Sequence, residues 1–287
     1  MLIKQKNHFA KSVDTKKFHV SILSPCRNWG LGIGDTIAGL FAVTGLQEKY
    51  PEAEITYYTN NVDWAKLGWQ NSKDINQLPQ DERIYHLSDY PGELRKKCNR
   101  IEDYCSHVDC EPVFPKTNFR RDFRVHARHK RYVVLAPFTA WSSRQWPLSH
   151  WLYLECLIRE NLKLDTVVLD GLDRIKIFQG YCYWGQKPEI VANVFHHAAC
   201  VIANDSMAAH LGGLVKAKTL AIHSSLPSAV LFKHYPTVRS IEPREGECKS
   251  CFFDYAKGYR SGCDHGCFSL AGITPQRVLE EIECSRK

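Results

Sequence analysis

The sequence predicts an α/β protein made of two doubly wound domains. Three observations support this prediction: β-type runs alternate with helical patterns, the alternation is interrupted near Val125 and restarts, and 287 residues suffice for two ordinary domains. Strands that alternate with helices form parallel sheets with helical crossovers. Because 44% of the residues are hydrophobic, each half can bury a core, and we place the domains at residues 1–125 and 126–287.

The first half begins with a β-type run and a helix whose face is broadly apolar and which Pro51 ends. A second helix is expected near the end of this half. The predicted strands are residues 18–23, 54–58 and 83–87, and the predicted helices are residues 35–49 and 92–104.

The second half restarts the alternation with a clear strand, followed by a helix for which Ser149 is the candidate N-cap. Ligands of doubly wound sheets bind at the carboxyl ends of the strands, so we expect the site in a cleft between the domains. The predicted strands are residues 132–136, 166–169, 200–203 and 219–222, and the helices are residues 149–160, 188–198, 206–215 and 274–282.

The composition is that of a moderately basic globular protein, and it excludes a disordered chain or a fibrous repeat. The net charge of +7 suits a phosphate-bearing ligand, as it suits many basic enzymes. Residues 1–17 are polar and lack the apolar core of a signal peptide. The longest apolar stretch, residues 31–46, is too short and too polar to span a bilayer. We therefore expect a cytoplasmic protein without membrane insertion.

A glycine-rich turn at residues 30–35 follows the first strand and opens a helix with Asp35. It is not the dinucleotide fingerprint, because Asp35 occupies the position of the third glycine. A carboxylate there complements the positive end of the helix, and the glycines let another molecule approach closely. Asp35 is therefore a candidate general base, and the alternative is a helix-capping aspartate without chemistry.

Two further motifs follow strands of the second half. Residues 137–147 combine Thr139, Ser143 and Arg144 in a strand-to-helix loop, which suits a phosphate-binding site. The alternative is an ordinary loop with a buried tryptophan. At residues 203–211, Ser206 can cap a helix whose N-terminal amides suit a diphosphate, and His210 lies one turn later. The alternative is a capped helix with a core-facing histidine.

The cysteine pattern near the C-terminus is the sharpest local signal. Two close pairs on a short loop are typical of a tetrathiolate metal finger, here at residues 248–267, whereas reduced free thiols are the alternative. Zinc is the default metal, and iron also fits four thiolates. The ligands would be Cys248, Cys251, Cys263 and Cys267.

A basic segment at residues 116–131 contains seven lysines and arginines and one acid, with Phe119 and Phe123 between the charges. Aromatic and basic side chains alternate in this way on surfaces that stack bases or sugars. We expect the segment to line the cleft and to bind a polyanionic acceptor, with a solvated linker as the alternative. The acceptor-binding residues would be Arg120, Arg121 and Arg124.

Taken together, these pieces resemble the heptosyltransferase family, glycosyltransferase family 9. The resemblance covers residues 21–58 and 132–282, and no single motif decides it, but four motifs in the same order are specific. The motifs are the Gly-Asp turn at residues 34–35, the Ser-Arg-Gln-Trp-Pro element at 143–147, the Asn-Asp-Ser element at 204–210, and the cysteine pairs followed by the Ile-Thr-Pro helix at 273–279.

The resemblance implies a GT-B fold, in which two Rossmann-like domains face a cleft, with residues 1–125 on the acceptor side and 126–287 on the donor side. It implies inverting transfer with Asp35 as the catalytic base and no catalytic metal, so that the cysteine site would be structural. Phe138 and Met207 stand where the family carries glycine, and Arg144 replaces a lysine. The donor-binding residues would be Gly34, Thr139, Ser143, Arg144, Asn204, Asp205, Ser206 and His210.

We therefore expect an inverting glycosyltransferase that uses a nucleoside-diphosphate sugar and an acceptor hydroxyl on a saccharide, a protein or a modified nucleic-acid base. The alternative enzyme is a nucleotide-sugar epimerase of the same fold, which needs no acceptor. The alternative from another class is a metal-stabilised nucleic-acid-binding protein, which the basic segment and the cysteine pairs favour, and which would bind random DNA with strong salt dependence.

Overall fold

The computed structural model describes residues 17–21, 32–80, 84–87, 99–121, 131–140, 144–170, 174–223, 226–244 and 268–284. The chain divides into two compact units, Met1–Asn118 and Phe119–Lys287, whereas the sequence placed the division near Val125. The described residues of each unit form one parallel sheet, which confirms the predicted α/β class. None of the described helices is both long and apolar enough to cross a bilayer.

The first unit has four described parallel strands in the order β3-β2-β1-β4. A doubly wound sheet of this order places helices against both faces. The strands are β1 (Lys17–Ser21), β2 (Glu54–Thr59), β3 (Ser72–Asp74) and β4 (Ile84–His86), and the helices are α1 (Ile33–Lys49), α2 (Val62–Ala65) and α3 (Arg100–His107).

Helix α1 forms the centre of the first unit because its apolar side chains are almost completely buried, among them Ile37, Leu40 and Phe41. Burial of each such side chain contributes about 1.5–3 kcal/mol. Helix α3 overlaps the predicted helix at residues 100–104, and residues 92–98 of that prediction lie outside the described residues. Asn99 caps α3: its Oδ1 atom accepts a hydrogen bond of 2.9 Å from the Ile101 amide.

The second unit has six described parallel strands in the order β10-β9-β8-β5-β6-β7, the arrangement of a doubly wound sheet. The strands are β5 (Tyr132–Ala136), β6 (Asp165–Asp170), β7 (Tyr181–Trp184), β8 (Cys200–Asn204), β9 (Thr219–Ile222) and β10 (Val238–Ile241). The helices are α4 (Leu148–Leu157), α5 (Pro188–His196), α6 (Met207–Leu214), α7 (Ser228–Leu231), α8 (Phe268–Ala271) and α9 (Pro275–Cys284).

Two tryptophans lie in the core of the second unit. Trp146 and Trp151 are completely buried and pack edge to face with ring centroids 5.1 Å apart. The Trp146 Nε1 atom donates a hydrogen bond of 2.8 Å to the Ile273 carbonyl, which ties the start of α4 to the C-terminal region. Helix α4 begins at Leu148 with Pro147 as its N-cap, so the expectation that Ser149 caps it is wrong.

Candidate functional site

Three of the predicted site residues follow the central strands of their own sheets. In each sheet the strand order reverses beside the first strand of the unit: between β1 and β4 in the first, and between β5 and β8 in the second. Doubly wound folds bind ligands at this switch point, outside the carboxyl ends of the strands. Asp35 lies in the segment after β1, Arg144 lies in the segment after β5, and Asp205 directly follows β8.

Asp35 occupies the first turn of α1, and two side chains of α3 hold it. The Asp35 Oδ1 atom accepts hydrogen bonds from Arg100 Nη1 and from the Tyr104 hydroxyl, the latter at 3.1 Å. The Asp35 side chain is 22% exposed. A Cβ atom at Gly32 would lie 3.6 Å from Asp35 Oδ2, so the glycine keeps the approach to that oxygen wider. Gly34 is partly buried in the same helical turn.

The electrostatics around Asp35 favour its ionised form. The positive charge of Arg100 stabilises the carboxylate directly. Burial, followed by the negative charge of Asp35, raises the pKa of Tyr104 well above its usual value. Tyr104 therefore stays protonated and remains a donor to Asp35 throughout the neutral pH range.

The N-terminus of α6 carries the predicted cap. The Ser206 Oγ atom accepts a hydrogen bond of 3.3 Å from the Ala208 amide, as the sequence predicts for an N-cap serine. Met207 is the first residue of the helix. The Asp205 amide donates a hydrogen bond of 3.2 Å to the Ile222 carbonyl, which ties this turn to the end of β9.

Arg144 and Asp205 form an ion pair beside this helix terminus. The Arg144 Nη1 atom lies 3.6 Å from Asp205 Oδ2, and only 3% of the Asp205 side chain is exposed. That separation is too long for a hydrogen bond. Among the described residues the Asp205 Oδ2 atom has no hydrogen-bond partner, although it is fully buried. A buried carboxylate oxygen without a donor is costly, so this oxygen is suited to receive a donor group from a ligand.

Asn204 acts on the loop after β5. It is completely buried, its Oδ1 atom accepts a hydrogen bond of 3.0 Å from the Trp146 amide, and its Nδ2 atom donates one of 2.7 Å to the Pro137 carbonyl. These two bonds fix both ends of the loop that carries Thr139 and Arg144. The described contacts of Asn204 are therefore those of a residue that positions the loop, a role that the sequence motif did not reveal.

His210 lies deep in the unit, where 4% of it is exposed. Its Nδ1 atom lies 3.2 Å from the Tyr235 hydroxyl, and its ring packs against Phe232 and Tyr235. Of the two remaining donor-site predictions, Thr139 is half-buried and Ser143 lies outside the described residues.

Two functional candidates that sequence reasoning missed follow the neighbouring strands. His223 comes directly after β9 and Glu242 directly after β10, so both lie at the same edge of the sheet as Asp205. The His223 Nε2 atom is 3.7 Å from Glu242 Oε1. Burial lowers the pKa of His223, with smaller opposing contributions from Asp205 and Glu242. Both residues stand singly after short strands, so no local motif marked them.

A third unpredicted group lies at the carboxyl end of β6. Asp170 binds Arg174 through two hydrogen bonds of 2.7 Å, from Nε and Nη2. The Arg174 guanidinium lies over the Phe138 ring, with its carbon 4.2 Å from the ring centroid. Phe138, which stands at a family glycine position, therefore packs under a cation.

The described part of the basic segment packs against α5. The Arg120 carbonyl accepts a hydrogen bond of 2.7 Å from Asn193 Nδ2, and the Phe119 ring contacts the His196 ring at 5.6 Å. The Arg120 and Arg121 side chains are exposed, and the Arg121 guanidinium lies 5.2 Å from the Phe119 ring centroid. Arg124 lies outside the described residues.

The predicted cysteine finger belongs to a part of the chain that the structure does not describe. Cys248, Cys251, Cys263 and Cys267 all lie outside the described residues. In the part of the chain that the structure describes, no group of three or more His, Cys, Asp or Glu side chains could hold a metal ion.

This chain is similar to known proteins in its three-dimensional structure. No family profile and no curated protein sequence matches the chain. The iron-containing dodecameric glycosyltransferase TibC of enterotoxigenic E. coli H10407 matches with a TM-score of 0.72 at 14% identity, over 96% of this chain and 77% of that chain. E. coli ADP-heptose lps heptosyltransferase II matches with a TM-score of 0.67 at 14% identity, over 94% and 98%.

A family 9 glycosyltransferase from Veillonella parvula DSM 2008 matches equally broadly, with a TM-score of 0.68 at 13% identity, over 95% of this chain and 97% of that chain. At such low identities the likeness shows the fold. The resemblance found in the sequence motifs is confirmed at that level: this chain has the heptosyltransferase-like GT-B fold of glycosyltransferase family 9.

Proposed function

We propose that this protein is an inverting glycosyltransferase that moves a sugar, heptose-like or other, from a nucleoside-diphosphate sugar to an acceptor hydroxyl. The observation that carries this proposal is the Arg144–Asp205 pair beside the N-terminus of α6, at the switch point of the second sheet. A guanidinium and the N-terminal amides of a helix together favour a doubly charged diphosphate.

The solved neighbours support a nucleotide-sugar donor. TibC is known in complex with ADP-D-β-D-heptose, and the E. coli heptosyltransferase WaaC is known with ADP. These two proteins make ADP-heptose the first donor to test on this chain.

In the proposed reaction, Asp35 removes the proton from the acceptor hydroxyl while its oxygen attacks the anomeric carbon of the donor. The bond from that carbon to the diphosphate breaks, and the diphosphate leaves with the bonding electrons. A single displacement of this kind inverts the anomeric configuration. Arg144 and the α6 amides stabilise the charge on the leaving group, and Arg100 keeps Asp35 ionised.

For the acceptor we propose a polyanionic or saccharide molecule, with DNA included, bound by Arg120, Arg121 and Arg124. The exposure of the Arg120 and Arg121 side chains supports this assignment. A polyanion would bind with strong salt dependence. A solvated linker is the alternative. It would be favoured if the Michaelis constant for the acceptor changed neither with salt concentration nor on substitution of these arginines.

We also propose that Cys248, Cys251, Cys263 and Cys267 bind one structural zinc or iron ion. The proposal rests on their spacing, and the iron-containing neighbour TibC supports it. Elemental analysis of protein purified without added metal should give one ion per chain. Cys248→Ser should lose that ion and the matched variant Cys200→Ser should keep it, because Cys200 lies buried in β8. Metal-free wild-type protein would contradict the assignment.

The function is tested by a thermal-shift screen against ADP-, UDP- and GDP-sugars, followed by an assay for released nucleoside diphosphate. We expect one donor class to raise the melting temperature, and we expect diphosphate release to require an acceptor. Conversion of the donor without any acceptor would identify an epimerase. Stabilisation by no nucleotide sugar, together with salt-dependent binding to random DNA, would identify a nucleic-acid-binding protein.

A further inference from the structure

Polar side chains form a row along the carboxyl edge of the second sheet. The segments after four adjacent strands, β5, β8, β9 and β10, contribute Arg144, Asp205, His223 and Glu242 in that order. Neighbouring members approach one another: Arg144 Nη1 is 3.6 Å from Asp205 Oδ2, and His223 Nε2 is 3.7 Å from Glu242 Oε1. The row extends the proposed diphosphate site towards the β10 edge of the sheet.

The tautomer of His223 follows from its contacts. Its Nδ1 atom lies 2.9 Å from the Leu226 carbonyl, and a carbonyl can only accept a hydrogen bond, so Nδ1 carries a proton. Burial lowers the pKa of His223, which leaves the ring neutral at neutral pH. In the neutral ring Nε2 therefore presents a lone pair and is a hydrogen-bond acceptor.

Among the described residues, no group donates to this acceptor. His223 is 1% exposed, and its Nε2 atom is buried without a hydrogen-bond partner, as is Asp205 Oδ2. The Glu242 Oε1 atom, 3.7 Å from Nε2, is itself an acceptor and is engaged by the Ser228 amide at 3.1 Å. Unsatisfied buried polar atoms are rare in native proteins because each is costly.

The polar groups of this row are therefore mainly hydrogen-bond acceptors, which a ligand with donor groups would satisfy. Two of its members are carboxylates and one is a neutral imidazole acceptor, so beyond Arg144 it repels a phosphate group and suits a molecule with several hydroxyl groups. The Glu242 side chain is 33% exposed, so the row opens to solvent at its far end. A polyhydroxylated sugar attached to a diphosphate at Arg144 has the required chemistry.

We propose that the transferred sugar lies over β8, β9 and β10, and that His223 Nε2 accepts a hydrogen bond from one of its hydroxyl groups. His223 is thereby a specificity-determining residue of the donor site, with Asp205 Oδ2 as a second acceptor for the same sugar. This inference rests on the proposed function, since it assigns the sugar part of the donor substrate to this row of side chains.

The test compares the affinities for a nucleotide sugar and for its nucleoside diphosphate alone, by calorimetry, with ADP-heptose and ADP as the first pair. His223→Leu should weaken binding of the nucleotide sugar about tenfold, the equivalent of one lost hydrogen bond, and leave ADP binding unchanged. His223→Gln keeps an acceptor oxygen and should recover part of the loss.

Thr237→Val is the matched control, because the Thr237 hydroxyl is also buried without a partner among the described residues but precedes β10, at the opposite edge of the sheet. It should leave both affinities unchanged. A second measurement needs no variant: donor analogues that each lack one sugar hydroxyl should include one that the wild type binds about tenfold more weakly. His223→Leu should bind that analogue as well as it binds the complete donor.

The outcomes separate this inference from the proposed function. If the wild type binds the nucleotide sugar and His223→Leu binds it equally well, or weakens both ligands equally, the sugar contact is wrong and the glycosyltransferase proposal stands. If the wild type binds every analogue as well as the complete donor, the sugar contact is likewise wrong and the glycosyltransferase proposal stands. If the wild type binds no nucleotide sugar of the panel, both proposals fail.

Discussion

Asp35 and Asp205 are the two carboxylates at the switch points of the two sheets, and the protein holds them in opposite ways. Asp35 accepts hydrogen bonds from Arg100 and Tyr104 of its own unit and keeps 22% of its side chain exposed. Asp205 is 3% exposed, and its Oδ2 atom has an ion-pair partner at 3.6 Å but no hydrogen bond from any described residue.

The difference indicates that the two carboxylates have different roles. A carboxylate whose donors come from the protein is oriented before any substrate binds, which suits a group that must accept a proton at a defined place. A carboxylate that is buried without a donor is completed by its ligand, which suits recognition. We therefore expect substitutions around Asp35 to change turnover and substitutions around Asp205 to change affinity.

The largest expected effect comes from Asp35→Asn, which keeps the size of the side chain and removes its basicity. Turnover should fall by about 10²-fold or more, while the dissociation constant of the donor stays the same. Steady-state kinetics and calorimetry on the same preparation measure both. Asp63→Asn, an exposed acid in the first turn of α2, is the matched control and should be unaffected. Normal turnover of Asp35→Asn would show that Asp35 is not the base.

The second effect tests the other side of the comparison. Arg144→Ala should weaken binding of the nucleoside diphosphate about 10- to 100-fold, because a charge-assisted bond to phosphate is lost, and should leave the turnover of saturated enzyme less affected. Arg159→Ala removes an arginine on the exposed turn that follows α4, bonded at 3.0 Å to Gln179, and should have no effect. Unchanged diphosphate affinity by calorimetry would remove Arg144 from the donor site.

A smaller effect is expected from Tyr104→Phe, which deletes the hydroxyl group that donates to Asp35. The loss of one hydrogen bond should lower turnover roughly 2- to 10-fold without a change in donor affinity. The acidic limb of the pH–rate profile should move to higher pH, because the ionised carboxylate loses a stabilising donor. If Tyr104 only supported the fold, turnover would fall without this shift of the profile.

The smallest effect concerns stability. Because burial lowers the pKa of His223 in the folded protein, the unfolded chain binds a proton first as the pH falls. The contribution of His223 to stability is present above its unfolded pKa of about 6.5 and is lost as the pH falls below it, with a slope of at most about 1.4 kcal/mol per pH unit. The charged groups that face it, Asp205 and Glu242, oppose this loss.

Urea denaturation of the wild type and His223→Leu between pH 7 and pH 5 measures the slope. The variant should lose part of it and keep the part that belongs to other groups, since burial also lowers the pKa of His150. Equal slopes would show that folding does not lower the pKa of His223.

Local patterns predicted much of this protein. The alternation of strands and helices gave the α/β class, and the serine before α6 predicted its N-cap. Strands β7 and β10, at the two edges of the described second sheet, were not predicted; in β10 the exposed Arg239 breaks the apolar run. Helix α3 overlaps the predicted helix at residues 100–104, and its cap, Asn99, was not recognised in the sequence.

By itself the sequence determined the fold class, the order of the motifs and the positions of the two carboxylates after the central strands. Each of these depends on residues that are close together in the sequence. The tertiary structure alone decided what surrounds them. Arg100 and Tyr104 meet Asp35 only when α3 packs against α1, and His223 and Glu242 join Asp205 only when β8, β9 and β10 align their carboxyl ends. Parallel strands bring distant residues to one edge, and no local spacing in a sequence records which residues will meet there.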